Sequence, residues 1–344
     1  MAGAAGPRKA VTLRDIAADT GYSITAVSHA LNDRSDISDE AKSIIAESAH
    51  RLGYRRSRSA AGAPASRSGL IAVIVGDTSN PFFAFMTRII ENELRRSNYT
   101  SFFMNTDENE EIELECLKTA ARQNVDGIIW CPAQQTENNL TFLENLRIPF
   151  VLIGRCFRDH AANYVSSDDY KAGRLVAEHL ISKGHYRTVY IDTLQQNSSS
   201  VDRYAGFISA YRARSMPFQT ENVFFDNEGR YFSRLFRKDG SILAEAIVCY
   251  NDVIAWDVLA RSRMLERGKE NAGAVPFSII AFDNLHSFLP LPFPLTSVSA
   301  SKVAMPRRAV EMLLRQIDNP EIPYSHLILD VELIDRGSVH RTGS

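Results

Sequence analysis

Ser23-Ile24-Thr25-Ala26-Val27-Ser28-His29-Ala30-Leu31-Asn32 reads as a short helix with two unlike faces. Val27 and Leu31, four apart, bury together, which leaves Ile24, Thr25, Ser28 and His29 on the other face. Ser23 is placed to cap its start. Upstream, Thr12-x-x-Asp15 opens a first helix, Ile16 and Ala17 give it an apolar face, and Gly21 stops it as a residue tolerant of positive φ. Downstream, Ser38-Asp39-Glu40 opens a third helix, with Ile44, Ile45 and Leu52 expected inward and Gly53 as its stop. Three short helices with a tight turn between the first two form a helix-turn-helix, an all-α headpiece. A generic three-helix bundle used for protein contacts has the same spacing, so the spacing alone leaves both open.

Four segments narrow this choice: Val11-Thr12-Leu13-Arg14-Asp15-Ile16-Ala17, Gly21-Tyr22-Ser23, Thr25 to Asn32, and Leu52-Gly53-Tyr54. In order and without gaps they resemble the headpiece of the lactose-repressor (LacI/GalR-type) family of bacterial transcription factors. The resemblance implies that Ile24, Thr25 and His29 read base edges in the major groove of double-stranded operator DNA. It places Thr12, Ser23, Ser28, Asn32 and Tyr54 on phosphates. Hydroxyls and amides near a helix N-terminus suit phosphate oxygens, and protruding side chains suit base edges. His29 departs from the pattern, where the family carries Arg. Arg can bond guanine bidentately and His offers one donor, so the base preference is expected to differ here.

Residues 55–68 match the family's linker, which folds into a hinge helix entering the minor groove. Arg55, Arg56 and Arg58 are expected to neutralise backbone charge. The family's Pro-Asn is replaced by Arg56-Ser57, and its wedge Leu falls on Ala63, flanked by Gly62 and Pro64. Gly and Pro are poor in a helix and Ala is a small wedge, so a weak hinge helix and little central DNA bending are expected. Residues 1–68 hold ten Lys/Arg against seven acids, although the whole chain has a formal charge of −2. A basic end on an acidic remainder is a modest nucleic-acid footprint.

From Leu70 the pattern changes. Leu70-Ile71-Ala72-Val73-Ile74-Val75 is a continuous apolar run that reads as a buried parallel strand. Helix and strand patterns then alternate in two series, the first to Ile153 and the second from Tyr164 to Ala281. This predicts an α/β core of two doubly wound parallel-sheet subdomains, similar to periplasmic binding proteins, with a hinged cleft between them. The expected division is 1–10 flexible, 11–55 headpiece, 56–68 hinge, and 69–340 effector-binding and dimerisation core. The core splits as about 70–162 plus 291–323, and 163–290 plus 324–340.

Ligands bind such sheets outside the carboxyl ends of the strands. Asp77, Asn80, Arg155, Arg203, Asn251, Asp252 and Asp283 fall there and could hydrogen-bond a polyol, with Phe82, Phe83 and Phe225 as apolar faces. Arg203 and Asp283 match the family's most regular ligand contacts. For Asn80, before Pro81, a helix cap is the competing role.

Other classes are disfavoured. No G-x-G-x-x-G, P-loop, G-x-S-x-G or H-E-x-x-H is present, so no catalytic residue or cofactor is expected. His179 and His185 are six apart, wrong for a shared metal face, and Asp168-Asp169 suits a helix start. Cys116, Cys131, Cys156 and Cys249 lie far apart in apolar contexts, as reduced thiols do. With no apolar leader and no membrane span, a cytoplasmic protein is expected. No terminal heptad run follows the last strand, so a homodimer is expected rather than a coiled-coil tetramer. The family relationship implies a repressor modulated by a small effector, a sugar first. A purine-like corepressor, a protein partner, or a sugar-binding protein that binds no DNA are the alternatives.

Overall fold

The computed structural model describes residues 11–31, 34, 36–52, 54, 67–134, 136–193, 197–216, 218, 222–226, 232–236, 242, 244–266, 277–291 and 293–342. Asn32, Arg55, Arg56, Arg58 and Ala63, with the rest of the hinge up to residue 66, lie outside these.

The headpiece consists of α1 (Leu13–Thr20), α2 (Ile24–Leu31) and α3 (Asp39–Leu52). Asp15 accepts from the Thr12 amide and hydroxyl at 2.6 and 2.7 Å, which fixes the start of α1. Gly21 ends it at φ 75°, its amide donating to Ala17. Ser23 Oγ caps α2 by accepting from the Ala26 amide. Ile16, Val27, Ala30, Ile45 and Ala49 form the core, with Leu13, Leu31, Leu52 and Tyr54 packed on it. Ile44, expected inward, is 42% exposed, because Ala41, Ile45, Ser48 and Ala49 occupy the inner stripe of α3. Asp19 ties α1 to α3 by accepting from Ser48 and Arg51.

The core runs β1 (Leu70–Val75), α4 (Pro81–Arg96), β2 (Thr100–Asn105), α5 (Glu110–Arg122), β3 (Gly127–Trp130), α6 (Asn138–Leu146), β4 (Phe150–Ile153), β5 (Asn163–Ser167), α7 (Asp169–Ser182), β6 (Thr188–Thr193) and α8 (Ser198–Arg212). It continues with β7 (Val223–Asp226), α9 (Phe232–Leu235), β8 (Ala246–Cys249), α10 (Asp252–Glu266), β9 (Ser278–Phe282), β10 (Thr296–Ala300), α11 (Ala304–Asp318), β11 (His326–Leu329) and β12 (Val331–Ile334). Two sheets result, ordered β11-β5-β4-β3-β1-β2 and β12-β10-β9-β8-β6-β7. Their pairings are parallel except β10 with β12.

Both faces of each sheet are covered, which is why the strands read as unbroken apolar runs. Ile71, Val73 and Val75 face α4 and α11, while Ala72 and Ile74 face α5 and α6. In the second sheet Ile247 and Cys249 face α10, and Ala246 and Val248 face α7 and α8. Each large side chain fully buried this way stabilises the fold by about 1.5–3 kcal/mol. No helix among the described residues is long and apolar enough to cross a membrane.

The subdomain boundaries differ from those expected. β5, expected to begin the second block, pairs with β4, Val151 opposite Asn163. β10, expected in the first block, pairs with β9 in the second sheet, and β11, expected in the second block, pairs with β5 in the first. The chain therefore crosses after β5, after β10 and after β11. At two of these crossings a single residue separates the elements, Asp168 before α7 and Asp330 before β12, and no Gly- or Pro-rich loop marks the change.

Candidate functional site: a cleft between two lobes

Parallel strands of both sheets point their carboxyl ends at one cleft of about 500 Å³. Much of its wall is built from the first three residues after a strand: Asp77 after β1, Asp107 and Glu108 after β2, Arg155 after β4, Asn251 after β8, Asp283 after β9. Of the residues expected from sequence, Asp77, Asn80, Phe82, Phe83, Arg155, Arg203, Asn251 and Asp283 line it.

Asn80 takes the helix-cap role, its Oδ1 accepting from the Phe82 amide at 2.9 Å, and it lines the same cleft as Asp283 of the opposite lobe. Arg203, on α8, donates through Nε to Asp169 at 2.8 Å and through Nη1 to the Tyr250 carbonyl at 2.9 Å. Its Nη2 lies 3.7 Å from Asp283, and its guanidinium sits over the Tyr250 and Phe282 rings. Burial pushes the Asp283 carboxyl above the usual range, against the pull of Arg203 and Lys302. Asp283 adopts φ 94°, which turns the chain after β9 into the cleft.

Arg155 lines the cleft differently from what its position suggested. It is buried, and Nη1 and Nη2 donate to the two Glu108 oxygens at 2.6 and 2.8 Å, with a further bond to the Pro132 carbonyl. This bidentate pair is among the stronger hydrogen-bonded geometries.

Two expected residues fall outside the wall. Asp252 is 1% exposed at the start of α10, where it accepts from the Leu285 amide at 2.6 Å and the Ser297 hydroxyl at 2.7 Å. It ties α10 to the segment after β9 and to β10. Burial, helped by the charge of Asp283, pushes its pKa up to about 7. Phe225 is 40% exposed on β7, the edge strand of the second sheet, and is not part of the cleft lining.

Sequence reasoning missed Glu108, Asp107, Asp169 and Tyr250. Asp168 takes the cap of α7, accepting from Lys171, so the adjacent Asp169 is left for Arg203. Two neighbouring acids where a helix needs one cap was the available signal. The lobes also meet beside the cleft. The Ser198 amide donates to Gln134, the Cys156 amide to Ser198, and the Ser199 hydroxyl to the Gly154 carbonyl. Arg158 pairs with Asp202 at the same seam.

In the headpiece, Ile24 and Thr25 are exposed on α2, and Thr12 and Ser23 are exposed at the helix starts. Ser28 is half-buried, and Tyr54 packs on the core. His29 Nδ1 lies 2.6 Å from Asp36, so the ring is held toward the loop before α3.

A family model described as periplasmic binding proteins and sugar binding domain of the LacI family matches residues 68–334. The transcriptional repressor PurR of Mannheimia succiniciproducens is 26% identical over 338 residues, covering 96% of this chain and 99% of its own. A LacI transcriptional regulator from Alkaliphilus metalliredigens, solved in complex with D-xylulofuranose, is 28% identical with a TM-score of 0.67. It covers 79% of this chain and 99% of its own. A LacI-family regulator from Silicibacter pomeroyi, 22% identical with a TM-score of 0.68, covers 96% of this chain and 100% of its own.

Proposed function

The chain belongs to the LacI family, and from that premise we propose that it is a transcriptional repressor whose hold on operator DNA is set by a small effector, a sugar, in the cleft. The observation that carries this reading is one chain holding both parts: a capped helix-turn-helix, and two sheets facing one cleft lined by Asn80 from one lobe and Arg203 and Asp283 from the other. The PurR relative supports the repressor assignment, and the xylulofuranose complex supports a sugar.

In this reading α2 lies in the major groove. Ile24, Thr25 and His29 meet base edges, while Thr12, Ser23, Ser28, Asn32 and Tyr54 meet phosphates. Arg55, Arg56 and Arg58 add backbone charge and Ala63 sits at the minor groove. A cytoplasmic homodimer presents two headpieces to a two-fold operator, and the first lobe, with α4, carries much of the dimer contact. Asp77, Asn80, Phe82, Phe83, Arg203, Asn251 and Asp283 hold the sugar. A ligand that binds one lobe arrangement better than the other shifts the lobes, and the crossings pass that shift to the hinge.

The test is a mobility-shift assay of the full chain on randomised DNA, followed by a sugar screen on the complex. One enriched, roughly palindromic site and a sugar that changes its affinity are expected. No sequence preference would overturn the DNA reading. A preferred site that no sugar alters would overturn the sugar reading and leave a purine or a protein partner in its place.

A further inference from the structure

The cleft wall carries five carboxylates against two guanidiniums among the described residues. Both guanidiniums are already matched. Arg203 faces Asp169 and Asp283, and Arg155 has Glu108 across both of its terminal nitrogens. The other two carboxylates meet neutral donors. Asp77 accepts from the Ser79 backbone amide and hydroxyl, and Asp107 from the side-chain Nδ2 of Asn105.

We infer that Glu108 sets the charge class of the effector: by masking Arg155 it leaves a cleft that takes an uncharged or amine-bearing polyol and refuses phosphate and carboxylate groups. The inference rests on the cleft being the effector site and adds its selectivity. An anion entering this wall meets net negative charge at low local dielectric; it can recruit Arg155 only by displacing Glu108, and at Arg203 it meets the charges of Asp169 and Asp283 beside the guanidinium. A hydroxyl both donates to Asp77 or Asp107 and accepts from other groups, and an ammonium donates to either acid.

Glu108 is unusually placed for this task. Asp107 and Glu108 take φ 51° and 54°, which turns the carboxylate back over β1. A Cβ added at Gly76 would lie 2.2 Å from Glu108 Oε1, so the bare glycine is what makes room for the mask. Specificity here comes from an occupied partner that repels the wrong ligand class.

The experiment is thermal unfolding of the full chain titrated with inorganic phosphate, against chloride at matched ionic strength, and with ribose 5-phosphate. The wild type is expected to show no phosphate-specific rise. Glu108→Gln is expected to gain a saturable rise of about 3 °C at tenfold excess over its Kd, and Glu108→Gln/Arg155→Met to lose it. Gly76→Ala reaches the same end by pushing Glu108 aside, so it serves if Glu108→Gln fails to fold. Phosphate or ribose 5-phosphate binding by the wild type that Arg155→Met abolishes would overturn the inference. So would a folded Glu108→Gln or Gly76→Ala that gains nothing. These readouts need neither operator DNA nor the native effector, so they stand or fall separately from the regulatory reading.

Discussion

Phe85 of α4 and Phe288, just beyond β9, stack across the two lobes with ring centroids 4.3 Å apart and planes 23° from parallel. Arg88 and Lys302 lie over the two rings at 5.8 Å each. The lobes are thus joined by an aromatic stack as well as by the seam at Ser198 and Asp202. An aromatic pair of this kind contributes about 0.5–1.5 kcal/mol beyond its buried area. Phe288→Ala is therefore expected to favour the open arrangement. Effector affinity should fall about two- to tenfold, and the radius of gyration of the effector-free protein in solution scattering should rise. An unchanged scattering profile and affinity would show that the stack does not hold the lobes.

A second expectation concerns how Arg203 reaches the cleft. α7 and α8 touch through two glycines. A Cβ at Gly206 would lie 1.9 Å from the Tyr170 carbonyl, and one at Gly173 would lie 1.8 Å from the Arg203 carbonyl. These are backbone contacts, so relief requires the helices to part, and with them Asp169 and Arg203. Gly206→Ala is expected to destabilise the chain by about 1–3 kcal/mol, as overpacking does, and to weaken effector binding as well. Urea unfolding with an unchanged midpoint would contradict the close approach.

Asp252 gives a dependence on pH. Its folded pKa is about 7, above the 3.8 of an ordinary Asp, so the folded state holds a proton that the unfolded state releases between these values. The stability tied to this group is fully present below the unfolded pKa and is lost as pH rises through about 7. The neighbouring charges are Asp283 after β9, Lys302 after β10, and Arg336 after β12, whose Nη2 donates to Asn284 at 2.5 Å. The difference in unfolding free energy between wild type and Asp252→Asn should therefore move against the wild type from pH 5 to pH 8. A difference that is flat across that range would refute the shift.

Much of this was legible in the sequence for a simple reason. Strands buried on both faces need apolar residues at every position, so Leu70–Val75 and Gly127–Trp130 stand out unaided. Polar residues directly after such strands point at the cleft, which is how Asp77, Arg155 and Asp283 could be placed there. What a side chain bonds to is another matter. Asp252 also follows a strand, yet it turns inward to Leu285 and Ser297, because the start of α10 is itself buried. Glu108 could not be found, since its position depends on two successive residues with positive φ that no local pattern announces. α11 carries Met305, Ala309, Val310 and Leu313 on one face and has Pro306 in its first turn, where proline is tolerated. The places of the crossings were not legible because strand pairing between residues so far apart in the chain leaves no trace in periodicity, as with Tyr164 beside His326 at β5 and β11.

His29 offers the sharpest test of the headpiece. It sits on α2 with Ile24 and Thr25, and its Nδ1 is taken by Asp36. That leaves Nε2 as the ring nitrogen able to meet a base edge, one bond where Arg would make two. His29→Arg is expected to move the preferred base opposite this residue toward guanine, with discrimination of about 1–3 kcal/mol, five- to 150-fold. Asp36→Asn should instead loosen the ring and lower affinity for the selected site without changing the preferred base. Thr25→Ala, at an exposed position on the same face, should relax preference at a neighbouring base. Selection from randomised DNA with the full-length protein reads all three. An unaltered preference in His29→Arg would remove His29 from the base-reading set and leave Ile24 and Thr25 to carry it.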